Sequence, residues 1–224
     1  MAPTWRATDP RSELGASWPV VARVLGVIVV VAALKGGVGK TTTAVYLTAV
    51  AGGGKRSVTL VDSDPQASAA DWVEHAADEV FETTDVVEAP TERLLAKVLD
   101  RVDGEDVAVV DTPPGHDRLL GKALEHADVV VIPTRVGGVE TARVEAVLDM
   151  VPKRMPVGLV FASARTFTRD YHETVAMWVE AGVPIWGTVP ERVGIASGPD
   201  NWLSPEGLDA YAEVWRRLRR TARP

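Results

Sequence analysis

The sequence predicts an α/β fold, a doubly wound and mostly parallel sheet with helices on both faces. Two observations carry this. From Val24 onward, short runs rich in Val and Ile alternate with segments of helical period, the pattern of repeated βαβ units. The polar, glycine-rich segments directly follow those runs, where such sheets bind ligands, outside the carboxyl ends of their strands.

The first run, Val27-Ile28-Val29-Val30-Val31, lies in a strand expected at 26–33 and is apolar without alternation, as a strand buried on both faces must be. A helical pattern at 41–50 follows, then a strand at 57–61 and a helix at 68–76. A weaker strand is expected near Val86-Val87, ahead of a helix at 91–102. Val-rich strands at 107–110 and 128–132 are each followed by a helix, at 116–125 and 139–150. Strand 157–161, helix 171–181, strand 185–187 and helix 205–219 complete the series. No repeat of fixed period is visible.

The 224 residues suit one domain, expected at 23–224, because two domains of equal size would each have a marginal core. Residues 1–22, with Pro3, Pro10 and Pro19, carry no helix or strand period and read as a flexible N-terminal extension. The apolar stretch from Trp18 to Leu34 superficially resembles a signal peptide. Arg23 interrupts it, and cleavage near Ala32-Ala33 would remove the strand from which the next loop hangs, so it reads as a buried strand. The chain has no cysteine, which excludes disulfides, thiolate catalysis and iron–sulfur clusters and suits a reducing cytoplasm. A net charge of −7 argues against a surface coated in positive potential, though not against a local basic patch.

The chemistry begins after the first strand. Gly36, Gly37, Val38 and Gly39 form a loop, and Lys40-Thr41-Thr42 opens a helix. Glycines let backbone N–H groups wrap a phosphate chain, and the helix N-terminus adds positive dipole. Lys40 then reaches the β- and γ-phosphates while the Thr41 hydroxyl ligates Mg²⁺, so MgATP is the expected ligand. The usual loop has glycine six residues before its lysine; here Leu34 stands there, followed by a second lysine, Lys35. Strand 57–61 ends in Asp62-Ser63-Asp64-Pro65-Gln66, and strand 107–110 in Asp111-Thr112-Pro113-Pro114-Gly115. Carboxylates at strand ends beside a phosphate loop can hold metal-bound water and orient an attacking water.

Together these segments resemble the ParA/MinD family of deviant Walker A ATPases, over roughly residues 26 to 219. The resemblance implies that Lys35 reaches the partner's phosphates across a nucleotide-sandwich homodimer. It also implies that Asp64 positions the attacking water, that Asp62 lies near the metal's water shell, and that Asp111 binds Mg²⁺ through water. Ile132-Pro133-Thr134 with Glu140, and Thr188-Val189-Pro190, resemble less specific family segments; the second implies a purine contact at Pro190. Absent cysteines exclude the nitrogenase iron-protein branch, and three dispersed tyrosines do not fit the tyrosine-kinase branch. Size and motif spelling resemble the short ParA partition ATPases, which implies a centromere-binding or other activator protein and a cytoplasmic, nucleoid-associated location.

The last helix leaves its partner open. Leu208, Tyr211, Trp215 and Leu218 form one apolar stripe, with Arg216, Arg217, Arg219 and Arg220 crowding its end. The helix can simply pack on the sheet with its cations at the favourable end of the dipole, or lie on anionic membrane as in MinD-type relatives. It can also bind DNA without sequence preference, with Arg165 and Arg169 adding to the patch; this is the preferred expectation, on resemblance. His75, His116, His126 and His172 show no metal-ligand spacing.

Overall fold

A computed structural model describes residues 26–53, 57–76, 79–102, 106–196 and 203–222. The expected extension at 1–22 and Arg23 lie outside them. Seven strands, β1 (Val27–Val31), β2 (Val58–Asp62), β3 (Thr84–Glu88), β4 (Val107–Asp111), β5 (Val129–Thr134), β6 (Val157–Ala164) and β7 (Ile185–Pro190), form one sheet. Their order is β3-β2-β4-β1-β5-β6-β7, and every neighbouring pair is parallel. The helices are α1 (Lys40–Gly52), α2 (Ser68–His75), α3 (Glu92–Leu99), α4 (Asp117–His126), α5 (Gly138–Met150), α6 (Arg169–Glu180), α7 (Val193–Ala196) and α8 (Pro205–Thr221).

The unbroken apolar run of β1 is explained by burial on both faces. Val29 and Val31 belong to a core shared with α1, α2 and α8, while Ile28, Val30 and Ala32 belong to a second core under α3, α4, α5 and α6. Within the first core, α8 is held against α1. Tyr46 stacks on Tyr211 with ring centroids 5.1 Å apart, and the Tyr211 hydroxyl lies 2.9 Å from that of Thr43. The Ser204 amide donates to the Tyr46 hydroxyl at 2.9 Å. The stripe of α8 is therefore used for packing: Tyr211, Trp215 and Leu218 are buried.

Several boundaries differ from expectation for physical reasons. The weak strand at Val86-Val87 is a full edge strand, β3, with Asp85, Val86 and Glu88 exposed; lacking a second neighbour, it has little apolar signal to give. β5 continues through Pro133, a residue usually kept out of central strands. The carbonyl of Val131 faces β1, accepting from the Ala32 amide, so Pro133 two residues on faces the same side. Pairing with β1 ends at Val31↔Val131, where Pro133 has no N–H to continue the ladder, while pairing with β6 on the other side runs on to Thr134. The short α7 and a 3₁₀ turn at Glu79–Phe81 were not expected.

Between β6 and β7, Gly158 lets the Trp186 ring lie flat on the backbone. A Cβ at Gly158 would sit 2.2 Å from that ring, and Trp186 is buried. Gly158→Ala is expected to destabilise the fold by about 1–3 kcal/mol, read as a lower urea midpoint with an unchanged slope. An unchanged midpoint would contradict this packing.

Candidate nucleotide site

The segments singled out from the sequence converge at the carboxyl edge of the sheet. β1 feeds a loop that turns through Gly37 (φ 76°) and Gly39 (φ 94°), conformations that disfavour any other residue. At Gly39 the backbone also approaches Ala162 of β6, where a Cβ would come within 3.1 Å of the alanine's own. Helix α1 then starts with no side-chain cap and no acidic residue in its first turn. Its leading N–H groups and dipole are left for an anion. Gly36, Gly37, Gly39, Lys40, Thr41, Thr42 and Asp64 line one cavity of about 350 Å³, a volume within the range of small-molecule sites. Val38 is buried beside the loop, in a crevice with Lys35, Thr134 and Glu140.

Lys40 is only 6% exposed, and its Nζ donates to the Lys35 carbonyl at 2.9 Å, which fixes it across the loop. Burial lowers its pKa from the ordinary lysine value, while the Asp111 and Asp64 carboxylates pull it back up. Lys35 points outward, its side chain 45% exposed, and pairs with Glu140 of α5 at 2.7 Å; Glu140 also holds Arg143 at 3.1 Å.

Asp111 ends β4 with a carboxylate that is 1% exposed. Its Oδ2 accepts from the Thr41 hydroxyl at 2.8 Å, and its Oδ1 is buried without a protein partner. A hydroxyl beside a carboxylate with an orphaned oxygen is a donor set suited to Mg²⁺. Burial raises the Asp111 pKa to about 7; the Thr41 hydrogen bond and Lys40 oppose that rise, and Asp62 and Asp64 add to it. Against an ordinary value of 3.8, the folded state binds the proton more tightly than the unfolded chain. Ionisation therefore removes stability progressively as pH rises from about 4 to about 7, and the loss is complete above that window. Asp111→Asn is expected to be more stable than the wild type in metal-free buffer at pH 8, with the gap shrinking at pH 4. Urea midpoints that run parallel across pH would contradict this.

Asp62 and Asp64, at the end of β2, have different surroundings. Asp62 is fully buried; its Oδ1 accepts from the Asp64 amide at 3.0 Å, and its Oδ2 from the Ala69 and Ala70 amides at 2.9 and 3.0 Å. Its visible work is to tie the loop after β2 to the start of α2. Asp64 is half-buried and lines the cavity, with Oδ1 accepting from the Gln66 amide at 3.0 Å. Sequence reasoning missed the two hydroxyls that lock the strand ends together. Ser63 donates to the Asp111 carbonyl and Thr112 to the Val31 carbonyl, both at 2.7 Å. Their signal was that each neighbours a motif aspartate. Reasoning also missed Arg135, which directly follows Thr134 and lines the same cavity.

Pro190 ends β7, but Val189 before it and Ile195 of α7 are the residues that line the cavity there. The six arginines expected on one surface fall into two groups. Arg165 pairs with Glu191 at the nucleotide edge and Arg169 with Glu173 nearby. Arg217 donates to the carbonyl of Ile185, the first residue of β7, which puts the α8 group at the opposite edge of the sheet. There Arg216 and Arg217 both pair with Glu213, and Arg216, Arg219 and Arg220 line a cavity with Trp215. The histidines form no metal-binding group among the described residues. No helix of the described residues is long and apolar enough to cross a membrane.

Residues 29–204 match the family described as the CobQ/CobB/MinD/ParA nucleotide binding domain. Maintenance of carboxysome distribution protein A of Gloeobacter kilaueensis is 46% identical over 101 residues, a match covering 45% of this chain and 45% of that protein. Protein ParA of Rhizobium radiobacter is 31% identical over 169 residues, covering 70% of this chain and 75% of its own. Among solved structures, a plasmid partition protein of Borrelia burgdorferi bound to AMPPNP aligns with TM-score 0.72 at 21% identity, covering 87% of this chain and 99% of that one. The septum site-determining protein MinD of Pyrococcus horikoshii, complexed with Mg-ADP, aligns with TM-score 0.71 at 19% identity, covering 87% and 96%.

Proposed function

As the chain belongs to the CobQ/CobB/MinD/ParA family of nucleotide-binding ATPases, we propose that it dimerises on MgATP, hydrolyses it slowly and thereby switches its attachment to DNA in plasmid or chromosome partition. The observation that carries this reading is Lys35. It is a half-exposed cation at the mouth of a phosphate cradle whose own buried lysine, Lys40, already serves the site from within. Glu140 keeps Arg143 at 3.1 Å when Lys35 leaves it, so the lysine can be traded to a second copy's phosphates without leaving the carboxylate unpaired.

In this reading Lys40 and the loop amides would hold the phosphates, and Thr41 and Asp111 would hold Mg²⁺, whose charge would help neutralise the phosphates. Asp64 orients the attacking water, and Lys35 completes the partner's site. A centromere-binding or other activator protein would quicken hydrolysis, and the protein would work in the cytoplasm on the nucleoid.

Sedimentation velocity tests the dimer. The wild type is expected to shift from monomer to dimer with MgATP, while Lys35→Ala binds ATP and stays monomeric. Dimerisation of Lys35→Ala to the wild-type extent would rule the reading out.

A second reading, positioning of a cargo through protein or membrane contacts, is favoured by the pairing of the arginines. Of the six DNA candidates, only Arg219 and Arg220 make no hydrogen bond or ion pair with a described residue. The carboxysome-distribution relative points the same way. Membrane contact would require α8 to release its buried stripe, so ATP-dependent flotation with anionic liposomes separates that variant from the others.

A further inference from the structure

One cation at the nucleotide cavity has no role in the reading above. Arg135 stands just beyond Thr134, the buried last residue of β5, and lines the cavity together with Gly37, Lys40, Thr41 and Asp64. The other cations near the loop are engaged: Lys35 and Arg143 on Glu140, and Arg165 on Glu191. The Arg135 guanidinium makes no hydrogen bond or ion pair with a described residue; the Arg135 carbonyl accepts from the Thr134 hydroxyl at 3.3 Å. It is near enough to Glu191 to add to the effect of Arg165, whose hydrogen bond is the main reason that carboxyl titrates below its usual range. Glu191 already has Arg165, so Arg135, which is exposed, lines the cavity without being consumed there.

The backbone fixes where that cation starts. Thr134 ends β5 and is buried, and two residues after Arg135 the carbonyl of Gly137 accepts from the Glu140 and Thr141 amides as α5 begins at Gly138. Arg135 thus hangs between the end of a strand and the start of a helix. A planar guanidinium presents a fork of donors that matches phosphate oxygens two at a time, which a lysine cannot do.

We propose that Arg135 is a nucleotide-binding residue that grips the phosphate chain from the β5 side while Lys40 and the α1 N-terminus grip it from below. The proposal rests on the nucleotide reading above and extends it to a residue outside the loop and aspartate motifs. It predicts discrimination by phosphate number, because a contact to the chain is worth more the more charge the chain carries.

The test is calorimetric titration of the full chain with ATP, ADP and AMP in Mg²⁺, for the wild type, Arg135→Ala, Arg135→Lys and Lys40→Ala. Thermal melts without nucleotide establish that each variant is folded. Arg135→Ala is expected to bind ATP roughly tenfold more weakly, with a smaller loss for AMP, and Arg135→Lys to recover part of the difference. Undiminished ATP affinity in a folded Arg135→Ala would overturn the proposal. So would an equal loss for ATP and AMP, which would mean an altered cavity shape and no phosphate contact. Failure of the wild type to bind ATP would overturn the nucleotide reading itself, whereas loss in Lys40→Ala alone would overturn only the role given to Arg135.

Discussion

Lys40→Ala is expected to lose ATP affinity by on the order of 10²-fold or more, and turnover with it. The lysine is 6% exposed and held at 2.9 Å from the Lys35 carbonyl, so its charge sits at a fixed point inside the cradle. A charge in such a low-dielectric position acts on phosphate oxygens far more strongly than one in water. Burial already depresses its pKa, with Asp111 and Asp64 opposing that shift, and an incoming triphosphate would oppose it further. The substitution should spare the fold, because alanine favours the first turn of a helix and the unmet donors of α1 are unchanged. Titration of folded Lys40→Ala with MgATP checks this; wild-type affinity would mean that the cavity is not a phosphate site.

Asp64→Ala is expected to separate binding from chemistry, lowering turnover by about 10²–10⁴-fold while ATP still binds. Asp64 is half-buried, lines the cavity, and uses only Oδ1 on the neighbouring backbone, so a carboxylate oxygen is left to orient water. Asp62, two residues earlier, makes the contrast. Its removal would leave the Asp64 amide and the Ala69 and Ala70 amides of the first turn of α2 without this acceptor, a cost of about 1–3 kcal/mol for each buried donor. Single-turnover hydrolysis alongside ATP titration distinguishes the two positions. Equal turnover in wild type and Asp64→Ala would remove this aspartate from the reaction.

The phosphate cradle was legible in the sequence because all its parts are local. Glycines, lysine and threonine within seven residues after an apolar run specify the turn, the dipole and the cation together. A mostly parallel sheet followed from alternating periods, and its burial on both faces from the unbroken valines of β1. What stayed hidden depends on distant neighbours. Nothing in Asp62-Ser63-Asp64 says that the first carboxylate is consumed by the amides of Ala69 and Ala70 while the third residue keeps an oxygen free. Arg135 carries no spacing signature, since one cation after a strand becomes informative only once β5 is placed beside the loop. The arginines looked like one patch in sequence, but α8 runs toward the amino edge of the sheet and separates them from Arg165.

Co-sedimentation of Asp64→Ala with random-sequence duplex DNA tests whether nucleotide state controls attachment to DNA. With ATP, the arrested dimer is expected to bind and to release as salt rises, because each copy would contribute Arg219 and Arg220, which make no ion pair with a described residue, and release counterions from the phosphates. With ADP, no binding is expected. Equal binding in both nucleotides would contradict nucleotide control of attachment, and no binding in either while ATP dimers still form would move the partner to a protein or membrane surface.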